Sequence, residues 1–190
     1  MADDLLQGLP DLLEPGLDVV FCGINPGMRA ASTGHHFDGR GNRFWQVLHL
    51  AGFTPEQLTP ERGPTLLEYR CGLTTVVSRP SARADELSRS EIEAAGPDFE
   101  RKIERYAPRY LAMLGKMAFS ALSGKRDVDW GLQSQAIGGA RVWVLPNPSG
   151  LNRGFSVASL VTAYRELSTS LLSTSLSSSP LSSTSICSTR

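Results

Sequence analysis

The stretch Leu17-Asp18-Val19-Val20-Phe21-Cys22-Gly23-Ile24-Asn25-Pro26-Gly27 decides the reading of the fold. Its first six residues form a short β-prone run that Gly23 ends, the pattern of a buried strand with a turn at its tip. The arrangement recurs far downstream, where Arg141-Val142-Trp143-Val144-Leu145 leads into Pro146-Asn147-Pro148-Ser149-Gly150. Two further strands are predicted between them. Leu73-Thr74-Thr75-Val76-Val77 is closed by Ser78-Arg79-Pro80, and Tyr110-Leu111-Ala112-Met113-Leu114 by Gly115-Lys116. Helical spacing fills the gaps. Phe44, Val47, Leu48 and Ala51 share one face of a helix that Asn42 can cap and Gly52 stops. Ser88 and Glu91 form a capping box for a helix through Phe99, Ile103 and Tyr106, with a break expected at Gly96-Pro97. Further helices are expected through Ala118, Phe119 and Leu122, and near 156–166. Strands alternating with helices imply parallel pairing and a layered α/β domain.

In open α/β sheets, ligands sit at the carboxyl ends of the strands. That rule selects residues 23–42, 78–86, 115–117 and 146–154. Two of these loops carry the Asn-Pro turns. Asparagine offers one acceptor and one amide donor on a short side chain. The following proline fixes the backbone, and glycine lets a ligand approach closely. Each turn is a rigid mount for one amide, although Asn-Pro-Gly is also ordinary turn chemistry.

Composition sets outer bounds. The 190 residues carry 19 basic and 19 acidic side chains, so net charge supplies no global reason to bind nucleic acid or an anionic membrane. Hydrophobic residues, at 41%, suffice for a core. No apolar run approaches the roughly 18 residues of a membrane-spanning helix, and the acidic start MADDLLQGLP is unlike a signal peptide. Cys22, Cys71 and Cys187 lie far apart, which fits neither a disulfide framework nor a zinc site. The expectation is a cytosolic monomer needing no metal and no cofactor. Its charge is sorted by position. Residues 1–28 hold five acids and no base, whereas Arg29, Arg40 and Arg43 are set against Asp38 alone, and 130–165 carry arginines without acids. A local basic face is therefore available at zero net charge. Residues 168–190 hold fifteen Ser or Thr among 23 and are expected to be a disordered tail behind a domain spanning 1–167.

Taken together, GINPG at 23–27 and NPSGLNR at 147–153 resemble the two signature motifs of the mismatch-specific uracil-DNA glycosylases, the bacterial branch of the thymine-DNA glycosylase family. TGHHF, NRFWQVLHLAGFTPEQL, YRCGLT, RPSARADELS, MLGKMAF and AYREL resemble that family too, and in its order, so the likeness covers 16–167. It implies a three-layer α/β/α sandwich with a short, mainly parallel central sheet. It also implies a monofunctional glycosylase on double-stranded DNA. Such an enzyme flips and excises uracil, and more weakly thymine or modified pyrimidines, opposite guanine.

The resemblance assigns roles residue by residue. Asn25 would hold the attacking water, and the backbone around Ile24 would donate to the uracil carbonyl. Phe37 would stack on the flipped base, and Asn147 would fix its loop or bind the base edge. Leu151 matches the wedge that enters the stack, with Gly150 and Arg153 meeting the widowed guanine. Arg29, Arg43 and Lys116 are candidates for phosphate contact. Some positions depart from the family: Asn152 stands where it often has Ser, Ala30 where relatives offer a hydroxyl, and Thr75 where some have Lys. None of the three lysines lies in the two motifs, so no amine is at hand for a Schiff-base lyase step.

Asp85, in the loop after the second strand, either orients water and stabilises a cationic sugar or belongs to a solvated turn before Ser88. His35 and His36 lack a third ligand at metal spacing and suit hydrogen bonding or phosphate contact. His49, on a helix, reads as structural. Two rival functions are a non-catalytic mismatch-binding module, which would not need Asn25, and a nucleoside N-ribohydrolase, which would not need a Leu-Arg wedge. A dehydrogenase fails for want of GxGxxG after the first strand.

Overall fold

The computed structural model describes residues 9–176, with side chains described through residue 173. Five strands, β1 (Val19–Gly23), β2 (Cys71–Thr75), β3 (Tyr110–Leu114), β4 (Gly131–Ile137) and β5 (Ala140–Leu145), form one sheet in the order β2-β1-β3-β5-β4. The first four in that order run parallel, and β4 lies antiparallel on the edge beside β5. Helices α1 (Met28–Thr33), α2 (Phe44–Leu50), α3 (Arg89–Tyr106), α4 (Lys116–Ser123) and α5 (Val157–Leu176) complete the domain.

Side chains alternate across each strand, and both faces of this sheet are apolar. Val20, Cys22, Leu111, Met113, Val142 and Val144 face Ile92, Phe99 and Ile103 of α3 and Phe119 of α4. Val19, Phe21, Leu73, Ala112 and Leu145 face Phe44 and Leu48 of α2 and Leu160, Tyr164 and Leu167 of α5. The sheet therefore separates two cores, and the domain has the three α/β/α layers expected. Phe21 anchors the second core, packing edge-on to Phe44 and Phe53.

Several elements differ from the sequence reading. The edge strand β4 was not expected, because its residues Leu132–Ala136 are largely exposed and polar and make no apolar run. Helix α3 is continuous through Gly96 and Pro97 rather than broken. Buried Phe99 and Ile103 hold its second half on the sheet, and Gly96 leaves room for Leu122 of α4. Packing outweighs the roughly 3 kcal/mol cost of an interior proline. Its start is as expected, with the Ser88 hydroxyl accepting from the Glu91 amide at 3.1 Å. Helix α1 and the 3₁₀ segment Pro60–Tyr69 were also not foreseen.

The Ser/Thr-rich tail needs a correction. Residues 168–176 belong to α5, while 177–190 lie outside the described residues. Leu171 continues the stripe of Leu160, Tyr164 and Leu167 against the core. A helix already nucleated propagates by adding one hydrogen bond for each residue it fixes.

The chain before β1 is stitched to the sheet edge, where Leu12 and Leu73 exchange both backbone hydrogen bonds at 2.9 Å. Gly72 makes this contact feasible, since a Cβ there would lie 2.7 Å from the Leu12 carbonyl and 2.6 Å from a Leu17 methyl. Gly72→Ala is expected to destabilise the fold by roughly 1–3 kcal/mol, read by urea denaturation.

Candidate active site

Four loops converge at the carboxyl ends of the parallel strands and enclose a cavity of about 500 Å³. The loops after β1 and β2 run side by side beyond the sheet. Val76 and Val77 donate to the carbonyls of Gly23 and Ile24, and Ser81 donates to that of Pro26. Ile24, Asn25, Phe37, Asp85, Asn147 and Leu151, all singled out from sequence, line the cavity.

The two motif asparagines are held in opposite senses. The Asn25 amide nitrogen donates to the Arg79 carbonyl and to the Ser81 hydroxyl, both at 2.8 Å. The Ser81 hydroxyl in turn donates to the Arg83 carbonyl at 2.7 Å. A carbonyl can only accept, so these bonds fix which way the Asn25 amide faces and leave its Oδ1 as an acceptor. Asn147 is oriented the other way. Its Oδ1 accepts from the Ser149 amide at 3.0 Å and its backbone carbonyl accepts from the Asn152 side chain at 2.8 Å, leaving its Nδ2 as a donor. The cavity thus carries one anchored acceptor and one anchored donor, on loops after strands β1 and β5.

Phe37 and His36 supply another wall. Phe37 adopts φ of 57°, unusual outside glycine, and its ring stacks on Phe44 with centroids 3.9 Å apart. Gly23 leaves space for that ring, since a Cβ there would sit 3.9 Å from it. His36 is 4% exposed, and its Nε2 lies 2.7 Å from the Pro10 carbonyl, to which it must donate. Nδ1 is then an acceptor, and burial holds the imidazole below its ordinary pKa, in the neutral form. His36 and Ser81 fall in loops that the strand-end rule selects, but their partners, 26 and 56 residues away, could not be read from sequence.

Arg43 requires a correction. It is not free to reach phosphate, because its guanidinium donates to four carbonyls of the second motif loop. These are Pro148 at 3.2 Å, Phe155 at 2.6 Å, and Ser149 and Asn152 at 2.9 Å. Its backbone amide donates to Pro148 as well, at 3.1 Å. Behind this clamp, Gly150 packs against the loop before α2, and a Cβ on Gly150 would fall 2.8 Å from the Gly41 carbonyl. The clamped loop presents Leu151 at 72% exposure. At that exposure Leu151 is not a core staple.

The remaining candidates sit at the rim or beyond it. Asp85 is exposed and takes both bonds from Arg83, at 2.9 and 2.7 Å. Those hydrogen bonds hold its carboxyl below the usual range, so it is ionised. Arg29 is tied to Asp38 at 2.8 Å. Lys116, the first residue of α4, holds its ammonium 4.5 Å from the centre of the Trp130 ring. Arg153 is exposed and has no partner among the described residues. Burial pushes the thiols of Cys22 and Cys71 up, which makes both poor nucleophiles. His49 bonds the Thr54 carbonyl at 3.1 Å, a structural role. Among the described residues, no three His, Cys, Asp or Glu side chains are grouped to hold a metal ion, and no helix is long and apolar enough to cross a membrane.

The result is a five-stranded α/β/α domain with its cavity at the carboxyl ends of the parallel strands. The chain belongs to the uracil DNA glycosylase superfamily, whose family model matches residues 10–168. Membership supports DNA glycosylase activity in uracil repair. The fold is also similar to the solution NMR structure of a provisionally assigned uracil DNA glycosylase from Methanosarcina acetivorans. The TM-score is 0.57 and the identity 22%, over 85% of this chain and 98% of that one.

Two outcomes follow from this geometry. Arg43→Ala releases four carbonyls and is expected to cost about 2 kcal/mol of stability. It should also speed hydrogen exchange at the Asn152 and Gly154 amides, while Arg43→Lys, lacking the planar fork, restores little. For His36, the unfolded chain binds a proton that the native state excludes. Stability is therefore full above the ordinary histidine pKa of 6.5 and falls as pH drops through it toward the lowered native value. His36→Gln should flatten that part of a stability-versus-pH curve measured by denaturant unfolding.

Proposed function

We propose that the protein is a monofunctional DNA glycosylase that excises uracil, and more weakly thymine or modified pyrimidines, mispaired with guanine in double-stranded DNA. The observation that carries this reading is the pairing of two oppositely oriented asparagine amides in one cavity beside an exposed, clamped Leu151. A nucleoside hydrolase has use for the amides but none for the leucine. A passive mismatch reader has use for the leucine but none for the anchored acceptor.

In this reading Leu151 fills the space of the nucleotide turned out of the stack, and Arg153 with the Gly150 backbone meets the unpaired guanine. The base enters the cavity against Phe37. The bond from C1′ to the base nitrogen breaks with its electron pair leaving on the base, whose carbonyl oxygens take up the charge. The Asn147 amide and backbone donors around Ile24 meet that charge. Water held by Asn25 Oδ1 adds to the cationic C1′, and its proton passes to solvent. Asp85, ionised at the cavity edge, stabilises the cation electrostatically. No lysine lines the cavity, which supports an intact abasic product rather than strand cleavage. In this reading the protein acts as a cytoplasmic monomer on double-stranded DNA, without metal or cofactor.

The test is single-turnover release of uracil and thymine opposite each of the four bases, scored as alkali-labile abasic sites. Uracil opposite guanine should be fastest. Asn25→Ala should lose about 10²–10³-fold, and Asp85→Asn should lose several-fold. Equal rates for Asp85→Asn and the unaltered protein would remove Asp85 from the mechanism. No base release from any duplex would overturn the reading.

A further inference from the structure

We infer that Arg40 is a DNA-phosphate-binding arm mounted on the back of the Leu151 loop. This rests on the glycosylase reading and adds a contact to it. The cations that the sequence suggested for phosphate are engaged within the protein: Arg29 by Asp38, Arg43 by four carbonyls, and Lys116 over Trp130. Arg40 is different. It is exposed and has no hydrogen-bond or ion-pair partner among the described residues. The carboxylate nearest in sequence, Asp38, is held by Arg29.

The position of Arg40 is well defined although its side chain is not tied down. The Asn42 amide donates to the Gly39 carbonyl at 2.9 Å, closing a tight turn with Arg40 at its second position and Gly41, at φ of 73°, at its third. The next residue, Arg43, bonds that turn to the second motif loop. On the other side the backbones touch. A Cβ at Gly150 would fall 3.1 Å from the Arg40 carbonyl and 2.8 Å from that of Gly41. The turn bearing Arg40 and the residue before Leu151 therefore form one rigid joint.

An unpaired guanidinium on such a joint suits a fixed, multiply charged partner. Duplex DNA opened by Leu151 brings phosphates past this rim, and a phosphate accepts two parallel bonds from an arginine. Arg40 and Arg153, on either side of the Gly41–Gly150 contact, would then supply much of the attraction that the zero net charge withholds.

The experiment measures the affinity of the full-length protein for a fluorescently labelled, undamaged duplex across a potassium chloride series. Each phosphate contact contributes a slope of about −0.9 to log affinity against log salt. Arg40→Ala should flatten the slope by about that amount, and Arg40→Lys should retain most of it. Arg105→Ala removes the same charge from the end of α3, remote from the cavity, and should leave the slope unchanged. An unaltered slope in Arg40→Ala, or an equal loss in Arg105→Ala, would overturn the assignment of Arg40 while leaving the glycosylase reading intact. Absence of salt-dependent binding by the unaltered protein, together with base release from duplex, would overturn Arg40 alone; absence of both would overturn both.

Discussion

The mouth of the cavity depends on one guanidinium. Arg43 begins α2, and its side chain gathers four carbonyls of the loop that follows β5. Two of these carbonyls have a backbone donor as well, Pro148 from the Arg43 amide and Ser149 from the Asn152 amide, and the guanidinium bonds all four. A planar group with five N–H bonds can meet them together, whereas an ammonium cannot fan out over the same arc. The contact also joins the two Asn-Pro motifs mechanically, because the loop leaving β1 ends at Arg43. Tyr164 of α5 secures the start of the second loop by donating to the Pro146 carbonyl at 3.2 Å. Leu151 can stand in water because the backbone beneath it is held from several sides.

The same economy of hydrogen bonds governs the asparagines. An amide is symmetric enough to rotate, and its chemistry depends on which end faces the ligand. Backbone carbonyls and a backbone amide settle that at Asn25 and Asn147 in opposite directions. Ser81 completes the arrangement because a hydroxyl can accept from Asn25 while donating to Arg83. Preorganised dipoles of this kind need no rearrangement when charge develops, which is where electrostatic stabilisation is most effective.

Charge is used locally. Eight acidic side chains of the described residues form ion pairs with arginine or lysine, as with Asp18 between Arg70 and Arg109 and Glu91 beside Arg79. Such exposed pairs add little stability, and several of the remaining cations bond carbonyls or rings instead, as Arg43 and Lys116 do. The balance of 19 against 19 therefore says little about partners, whereas the placement of Arg40 and Arg153 says more.

Sequence alone determined the layered α/β class, three strands to within two or three residues and β3 to the residue, the Ser88 cap and the cavity at the strand ends. It could do so because those features come from local patterns: continuous apolar runs, helical spacing and Asn-Pro-Gly turns. It also identified most of the cavity lining, since motif residues sit directly at strand tips. It missed β4, whose exposed polar residues gain their order only from pairing with β5. It broke α3 at Gly96-Pro97, where local propensity yields to the burial of Phe99 and Ile103. It took Arg43 for a phosphate contact and did not foresee Ser81 beside Asn25. Side-chain direction, and with it the choice between solvent, carbonyl and ligand, was decided only by tertiary structure. The partners of Arg43 lie 105 to 112 residues away and those of Asn25 54 and 56, distances over which no local pattern carries information.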